Sequence, residues 1–316
     1  MTTLLPPRPP AAPDNPAKGR PVRAGRARLN RPGLAWTLPA TIFFLLFAVV
    51  PLIAVVVLSF MTWTGLGDPK FVGLENWQTL AGDSVMLKSL WLSVLFIVLG
   101  VATQTPVSIL LGVWAAGPQR NRAVLSAIFF LPLLLSSAAI SVLWRALLDP
   151  NFGVPAQLKW LFGDGNLFGH QSTAIGVIIF VGMWQFTPFH TLIYQGAAKS
   201  VPPVLYQAAE IDGAGRARQF FSITLPQLRN SIITSVILMV VGGLTTFETV
   251  LILTNGGPGT DTTITAFYMY EEAFRRYNFG MGSAIALVLV IVATAISLIM
   301  VKASGYDKMR STMEGL

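Results

Sequence analysis

Cysteine is absent from the 316 residues. No disulfide and no thiolate metal site can form, and the redox compartment leaves no trace. Charge is scarce: Asp, Glu, Lys and Arg make up 11%, where soluble domains carry about 25%. Histidine occurs only at His170 and His190. No lysine follows a glycine, so the Gly-Lys step of a phosphate-cradling loop is missing. No metal-ligand spacing or nucleophile–base arrangement stands out. The sequence therefore does not predict an enzyme.

What fills the chain is apolar. Hydrophobic residues reach 53% and the mean hydropathy is +0.63. A hydrocarbon core of about 30 Å takes about 20 apolar residues as a helix. Six runs meet that length: 36–60, 90–116, 124–147, 173–194, 232–254 and 280–301. They predict an all-α polytopic membrane protein with six transmembrane helices. Pro132 and Pro188 fall inside two of the runs, which membrane bundles tolerate where neighbours re-satisfy the backbone. The runs are continuously apolar, not alternating, which argues against a β-barrel.

The net charge is +8, and its placement is topological. Arg8, Lys18, Arg20, Arg23, Arg26, Arg28 and Arg31 precede the first run, in a tail that includes PPRPPAAP. Residues 1–34 are expected to be a disordered basic tail, with no role in binding nucleic acid. The run after it is too long for a cleavable signal, and no small-residue cleavage site follows closely. Basic residues favour the cytoplasmic side of short loops. With both termini cytoplasmic, sixteen of the 22 Lys and Arg fall inside, among them Arg120 and Arg122. The expected organisation is a membrane domain over 35–303, a cytoplasmic loop over about 199–229, and a cytoplasmic tail over 304–316. The outer loops are rich in turn formers and aromatics, which suit the lipid interface or a docked protein.

The cytoplasmic stretch QAAEIDGAGRARQFFSITLP, 207–226, is too polar for lipid. Ser200 with Pro202 and Pro203 predicts a helix start. Val204–Ile211 continues it, and Gly213 fits a left-handed helix end. A second run, 214–222, carries Arg216 and Arg218, and Pro226 closes it or opens the next helix. The product is a helix–glycine–helix knob for another protein's groove, or a hairpin lying on lipid.

The spacing here resembles a known family. Gln207-Ala208-Ala209, three residues, Gly213, nine residues, Ile223, one residue, Leu225-Pro226 is similar to the cytoplasmic loop motif of permease subunits of binding-protein-dependent ABC importers. Gln207 stands where that family usually has glutamate. FVGLENW (71–77) and LTNGGPGTDTT (253–263) resemble the carbohydrate-uptake, MalF/UgpA-like type. The resemblance covers the chain from about Ala35 to the last run.

It implies the type I importer permease fold in a bacterial or archaeal plasma (inner) membrane. The implied partners are a second, unlike permease, two ATPase subunits, an extracytoplasmic solute-binding protein, a sugar substrate and membrane lipid. It implies no cofactor on this chain, since ATP and Mg belong to the ATPase. Gln207, Ala208, Ala209, Glu210, Asp212, Gly213, Ala214, Ile223, Leu225 and Pro226 would form the ATPase-coupling loop, with Glu210 and Asp212 giving acidic contacts. Asn255, Gly256, Gly257 and Pro258 would contact the binding protein, in a turn that ends the fifth span. For the substrate path the expected residues are Trp184, Gln185, Phe189, Thr246 and Glu248. An acid in a membrane run is a functional candidate by default, and aromatics cover sugar faces. His190 reads as a packing histidine, and Ser136, Ser137 and Ser141 as close-packing residues. Two alternatives stay open: a permease for glycerol-phosphate-type solutes, with Arg145 as the basic group, and an ATP-independent secondary transporter.

Overall fold

The computed structural model describes residues 36–117, 124 and 127–304. The expected basic tail, Arg120, Arg122 and the segment from 305 onward lie outside them. The chain divides into two compact units, 1–50 and 51–316. Among the described residues, four helices are long and apolar enough to cross a membrane: α1 (Leu38–Leu58), the long helix Ser84–Ala115, the helix Gln171–Lys199, and the C-terminal helix from Phe279. A fifth candidate is a pair, Arg216–Gln227 with Arg229–Thr245, bent by 67° at Leu228.

After α1 the chain forms a feature that the apolar pattern does not foretell. β1 (Met61–Thr62) pairs antiparallel with β2 (Lys70–Phe71), Met61 facing Phe71. α2 (Glu75–Gly82) follows. The buried amide of Asn76 donates to the carbonyls of Ser59 and Met61, at 2.9 and 2.8 Å. Asn76 of the FVGLENW stretch thus staples the loop back to the start of β1 and the residues before it.

α3 (Ser84–Ala115) begins six residues before the expected run. The cause is local: Asp83 Oδ1 accepts from the Val85 amide at 2.8 Å and caps the helix. The run expected over 124–147 is broken. α4 (Leu131–Leu134) stops at Leu135, whose backbone is extended, and Ser136 caps α5 (Ser137–Leu147) through Ala139 N, 3.2 Å. Two short helices, α6 (Val154–Gln157) and α7 (Lys159–Phe162), lead to α8 (Gln171–Lys199). α8 outruns the expected 173–194 at both ends, and it keeps Pro188 fully buried inside it.

α9 (Pro203–Ile211) and α10 (Arg216–Gln227) form the hairpin. α11 (Arg229–Thr245) and α12 (Glu248–Leu253) replace the single expected helix over 232–254, because Thr246 turns to an extended backbone. α13 (Thr265–Tyr270), a π-helical turn Glu271–Arg275, and α14 (Phe279–Ser304) complete the described residues.

The main apolar core gathers Leu92 of α3, Ile140 of α5, Ile178 and Val181 of α8, Val250 of α12 and Phe267 of α13. α3 and α8 pack so closely that a Cβ on Gly112 would lie 2.7 Å from Tyr194 Cβ. Small residues permit such backbone approach between membrane helices. Burial, then the Asp83 carboxylate that accepts its hydroxyl, pushes the phenol of Tyr268 above its ordinary range.

Candidate functional site

The hairpin is built as the sequence pattern predicts, with one change at its start. Ser200 does not cap α9. Its hydroxyl donates back to the Gly196 carbonyl at 3.1 Å, so it ends α8, and Pro202 occupies the cap of α9. At the other end, Gly213 N–H donates to Glu210 O at 3.0 Å and Ala214 N–H to Ala209 O at 2.8 Å. This pair of bonds is a Schellman ending, which needs a left-handed residue between the helices. Gly213 supplies it at φ +72.

Two side-chain bonds hold the hairpin closed: Tyr206 Oη to Thr224 Oγ1, 2.9 Å, and Gln219 Nε2 to Ala214 O, 2.9 Å. Gln207, Ala208, Glu210, Asp212, Gly213 and Pro226 are exposed. So are Val204, Phe221 and Ile211, the last 88% exposed. Ala209, Ala214, Ile223 and Leu225 are half-buried. The ten motif residues therefore split: most of the first half faces outward, while Leu225 seats the hairpin. Leu225 packs with Phe220 and Ile232 around buried Leu228, Ile109 of α3 and Tyr194 of α8.

A cavity of about 400 Å³ lies where α3, α8, α11 and α12 meet. That volume is within the range of small-ligand sites. Of the expected path residues, Phe189 and Thr246 line it. Trp184, Gln185 and Glu248 do not. Trp184 packs edge-on against Trp144, with ring centroids 5.5 Å apart. Gln185, 4% exposed, donates its amide to Leu135 O at 3.3 Å and Ser137 Oγ at 3.2 Å. It locks α8 to the break between α4 and α5. Glu248 is exposed in the first turn of α12, where a carboxylate suits the positive end of the helix dipole.

His190 lines the cavity too, and its Nδ1 pairs with Ser235 Oγ at 2.7 Å. Gln104 and Met239 are lining residues that the sequence did not flag. A lone glutamine in an apolar run is the signal that was available for the first. Arg145 Nη1 donates to the Ile252 carbonyl at 2.8 Å, so its guanidinium serves the end of α12. Among the described residues, no group of three His, Asp or Glu side chains is placed to hold a metal ion.

The loop after α12 is tightly stitched. Asn255 and Gly256 have φ of +52 and +83, and Asn255 Oδ1 accepts from Arg275 Nη2 at 2.5 Å. Thr262, fully buried, donates to Gly257 O at 2.8 Å, and Asp261 pairs with Lys88 of α3 at 2.6 Å. Of the four expected docking residues only Asn255 is exposed; Gly256 is buried, and Gly257 and Pro258 are half-buried.

Comparison with known proteins agrees with this architecture. A family described as "Binding-protein-dependent transport system inner membrane component" matches residues 108–304. The probable ABC transporter permease protein YurN of Bacillus subtilis (strain 168) is 33% identical over 275 residues, covering 84% of this chain and 92% of its own. The multiple sugar-binding transport system permease protein MsmF of Streptococcus mutans is 30% identical, covering 82% of this chain and 93% of its own. A chain in the crystal structure of a bacterial alginate ABC transporter, in complex with an alginate pentasaccharide-bound periplasmic protein, superposes with a TM-score of 0.76. It is 23% identical and covers 88% of this chain and 95% of that one. The chain belongs to the family of inner membrane components of binding-protein-dependent transport systems.

Proposed function

We propose that this chain is one of two unlike permease subunits of an ABC importer for a sugar or oligosaccharide. It spans the membrane six times with both termini cytoplasmic. α5 alone has 11 residues, about 17 Å of helix, so the residues before it would complete the third span. ATP and Mg would be held by two partner ATPases, and an extracytoplasmic binding protein would deliver the solute to the loops that include 254–264. The name of the Streptococcus relative supports a sugar, as does the alginate transporter that shares the fold.

The observation that carries this proposal is the hairpin of α9 and α10: a closed, glycine-jointed pair of helices with exposed apolar and acidic residues at its tip. Such a face suits a groove on another protein. Exposed Glu210 and Asp212 would accept hydrogen bonds from basic groups there. Gln207 keeps one acceptor oxygen where a carboxylate has two, and carries no charge, so its contact would be weaker and less salt-sensitive. The Tyr206–Thr224 bond ties the two helices to each other, so they would move together. Motion of the hairpin then enters α11 through buried Leu228, at the 67° bend. α11 carries Leu238, Met239 and Gly242 of the cavity wall. A push on the hairpin therefore reshapes the cavity, which is how hydrolysis on a partner would gate the path.

The secondary-transporter alternative needs an acid inside the membrane to carry protons. Glu248 is the one acid in the six apolar runs, which is thin support for that class. For the glycerol-phosphate alternative Arg145 is the one basic candidate, and one of its donors is used by Ile252 O.

The test is ATP hydrolysis by the co-expressed complex in lipid, with Gly213 and with Gly213→Asp. Asp at φ +72 is strained, and its charge sits on the docking face. The expected outcome is loss of ATPase co-purification or of solute-stimulated hydrolysis. A variant complex that retains both would overturn the coupling role of the hairpin.

A further inference from the structure

The second arm of the hairpin carries positive charge that the fold leaves unused. Arg216 and Arg218 on α10, and Arg229 at the first position of α11, are all exposed. Among the described residues none of the three makes a hydrogen bond or an ion pair. Asp212 stands four residues before Arg216 and does not pair with it. No Asp or Glu occurs between Asp212 and Glu248, so the surface is of one sign.

The same surface has an apolar member. Phe221 stands three residues after Arg218, so the two share a side of α10. Its ring is 65% exposed. Neighbouring Phe220 turns the other way, into the apolar cluster around Leu228, and meets Phe221 edge-on with centroids 5.1 Å apart. Ser222 is exposed beside them.

Position and charge decide what covers this face. α11 belongs to a membrane-crossing pair, and α10 is turned 67° from it at Leu228. An axis turned that far from a spanning helix runs nearer the membrane plane than its normal, at the level where the span begins. Helices that lie in the interface carry Arg and Lys on the polar side and Phe at the acyl boundary. The hairpin also segregates its charges, with Glu210 and Asp212 at the α9 end and the arginines on α10. A basic groove that takes the acidic end would repel the arginines. Phospholipid phosphate is complementary to them, and a guanidinium engages it through two parallel hydrogen bonds.

We propose that this face binds anionic phospholipid of the cytoplasmic leaflet. Arg216, Arg218 and Arg229 pair with headgroup phosphates, and the Phe221 ring enters the acyl boundary. The base of the hairpin is thereby held to the bilayer while its α9 end stays free for a partner protein. The inference rests on the cytoplasmic placement of the hairpin proposed above, and not on the cargo.

The test uses the whole co-expressed complex, with phosphatidylglycerol and phosphatidylcholine as probes. Native mass spectrometry measures the binding of each lipid to the wild type, to a triple variant with Arg216→Gln, Arg218→Gln and Arg229→Gln, and to the matching triple lysine variant. The expected result is a loss of about fivefold in phosphatidylglycerol affinity per arginine replaced by glutamine. The lysine variant should keep most of that affinity, and phosphatidylcholine binding should not change. Equal phosphatidylglycerol binding by the wild type and the glutamine variant overturns the site. So does a glutamine variant that keeps its lipid and loses its ATPase subunits, because the arginines then serve that partner. A second measurement needs no arginine variant. The chain has no cysteine, so Ser222→Cys gives it one position for a fluorophore. Brominated phosphatidylglycerol in liposomes is expected to quench that fluorophore, and an unquenched signal overturns the proposal. Labelling of Ser222→Cys in intact cells by a membrane-impermeant maleimide would put the hairpin outside, and the proposal would fall with the topology. Sugar uptake is not among the readouts, so failure of the sugar reading is not mistaken for failure of this site.

Discussion

The seam between α3 and α8 can be probed at a single atom. In Gly112→Ala the new Cβ would lie 2.7 Å from Tyr194 Cβ, 3.0 Å from Thr191 O and 3.1 Å from Gln195 N. Carbon atoms in contact sit at about 3.5–4.0 Å, so a gap of roughly 1 Å has to open. Two of the three neighbours are α8 backbone, and Tyr194 is fully buried, with no free space to swing into. The helices themselves must part. Overpacking of this kind costs about 1–3 kcal/mol. The Gln195–Ala115 bond, one turn further on, is stretched by the same movement and adds about 0.5–1.5 kcal/mol. Gly196→Ala on α8 is the matched control. Nothing lies within 4 Å of its Cβ, and alanine in a helix gains about 0.5–1 kcal/mol over glycine. The assay is the thermal midpoint of the purified complex in detergent. Gly112→Ala is expected to lower it, while Gly196→Ala holds or raises it. Equal midpoints for the two variants would refute the tight seam.

Asn76→Ala removes both bonds to Ser59 O and Met61 O and is expected to destabilise by about 1–3 kcal/mol, two net hydrogen bonds. Limited proteolysis checks it: cleavage within 59–76 should become faster than in wild type. The Asp164–His170 pair predicts a local pH effect. The hydrogen bond from the His170 ring, then the Asn166 amide, holds the Asp164 carboxyl below its ordinary 3.8. A depressed carboxyl stabilises the fold above pH 3.8, and this contribution fades as the pH falls through its lower folded value. A carbon-13 titration of Asp164 in micelles should show a midpoint below 3.8 that returns towards it in His170→Asn.

Hydropathy read α1, α3, α8 and α14 well because a membrane span is a property of composition summed over about 20 residues. It missed the break between α11 and α12 because Thr245, Thr246 and Phe247 interrupt the backbone direction without interrupting the apolar run. The hairpin turn was legible for a different reason. Gly213 satisfies a backbone constraint that few residues meet, so one letter carried the geometry. Function in the path was less legible, and two glutamines show why. Gln104 and Gln185 are both buried in long apolar helices, at 7% and 4% exposure. Sequence gives no means of ranking them, and the aromatics beside Gln185 favoured it. The structure separates them by partners alone. The amide nitrogen of Gln185 donates to Leu135 O and Ser137 Oγ, whereas the amide nitrogen of Gln104 is buried with no partner among the described residues. The neighbours on other helices therefore decide which glutamine the fold itself holds, and no pattern along a single helix contains that information.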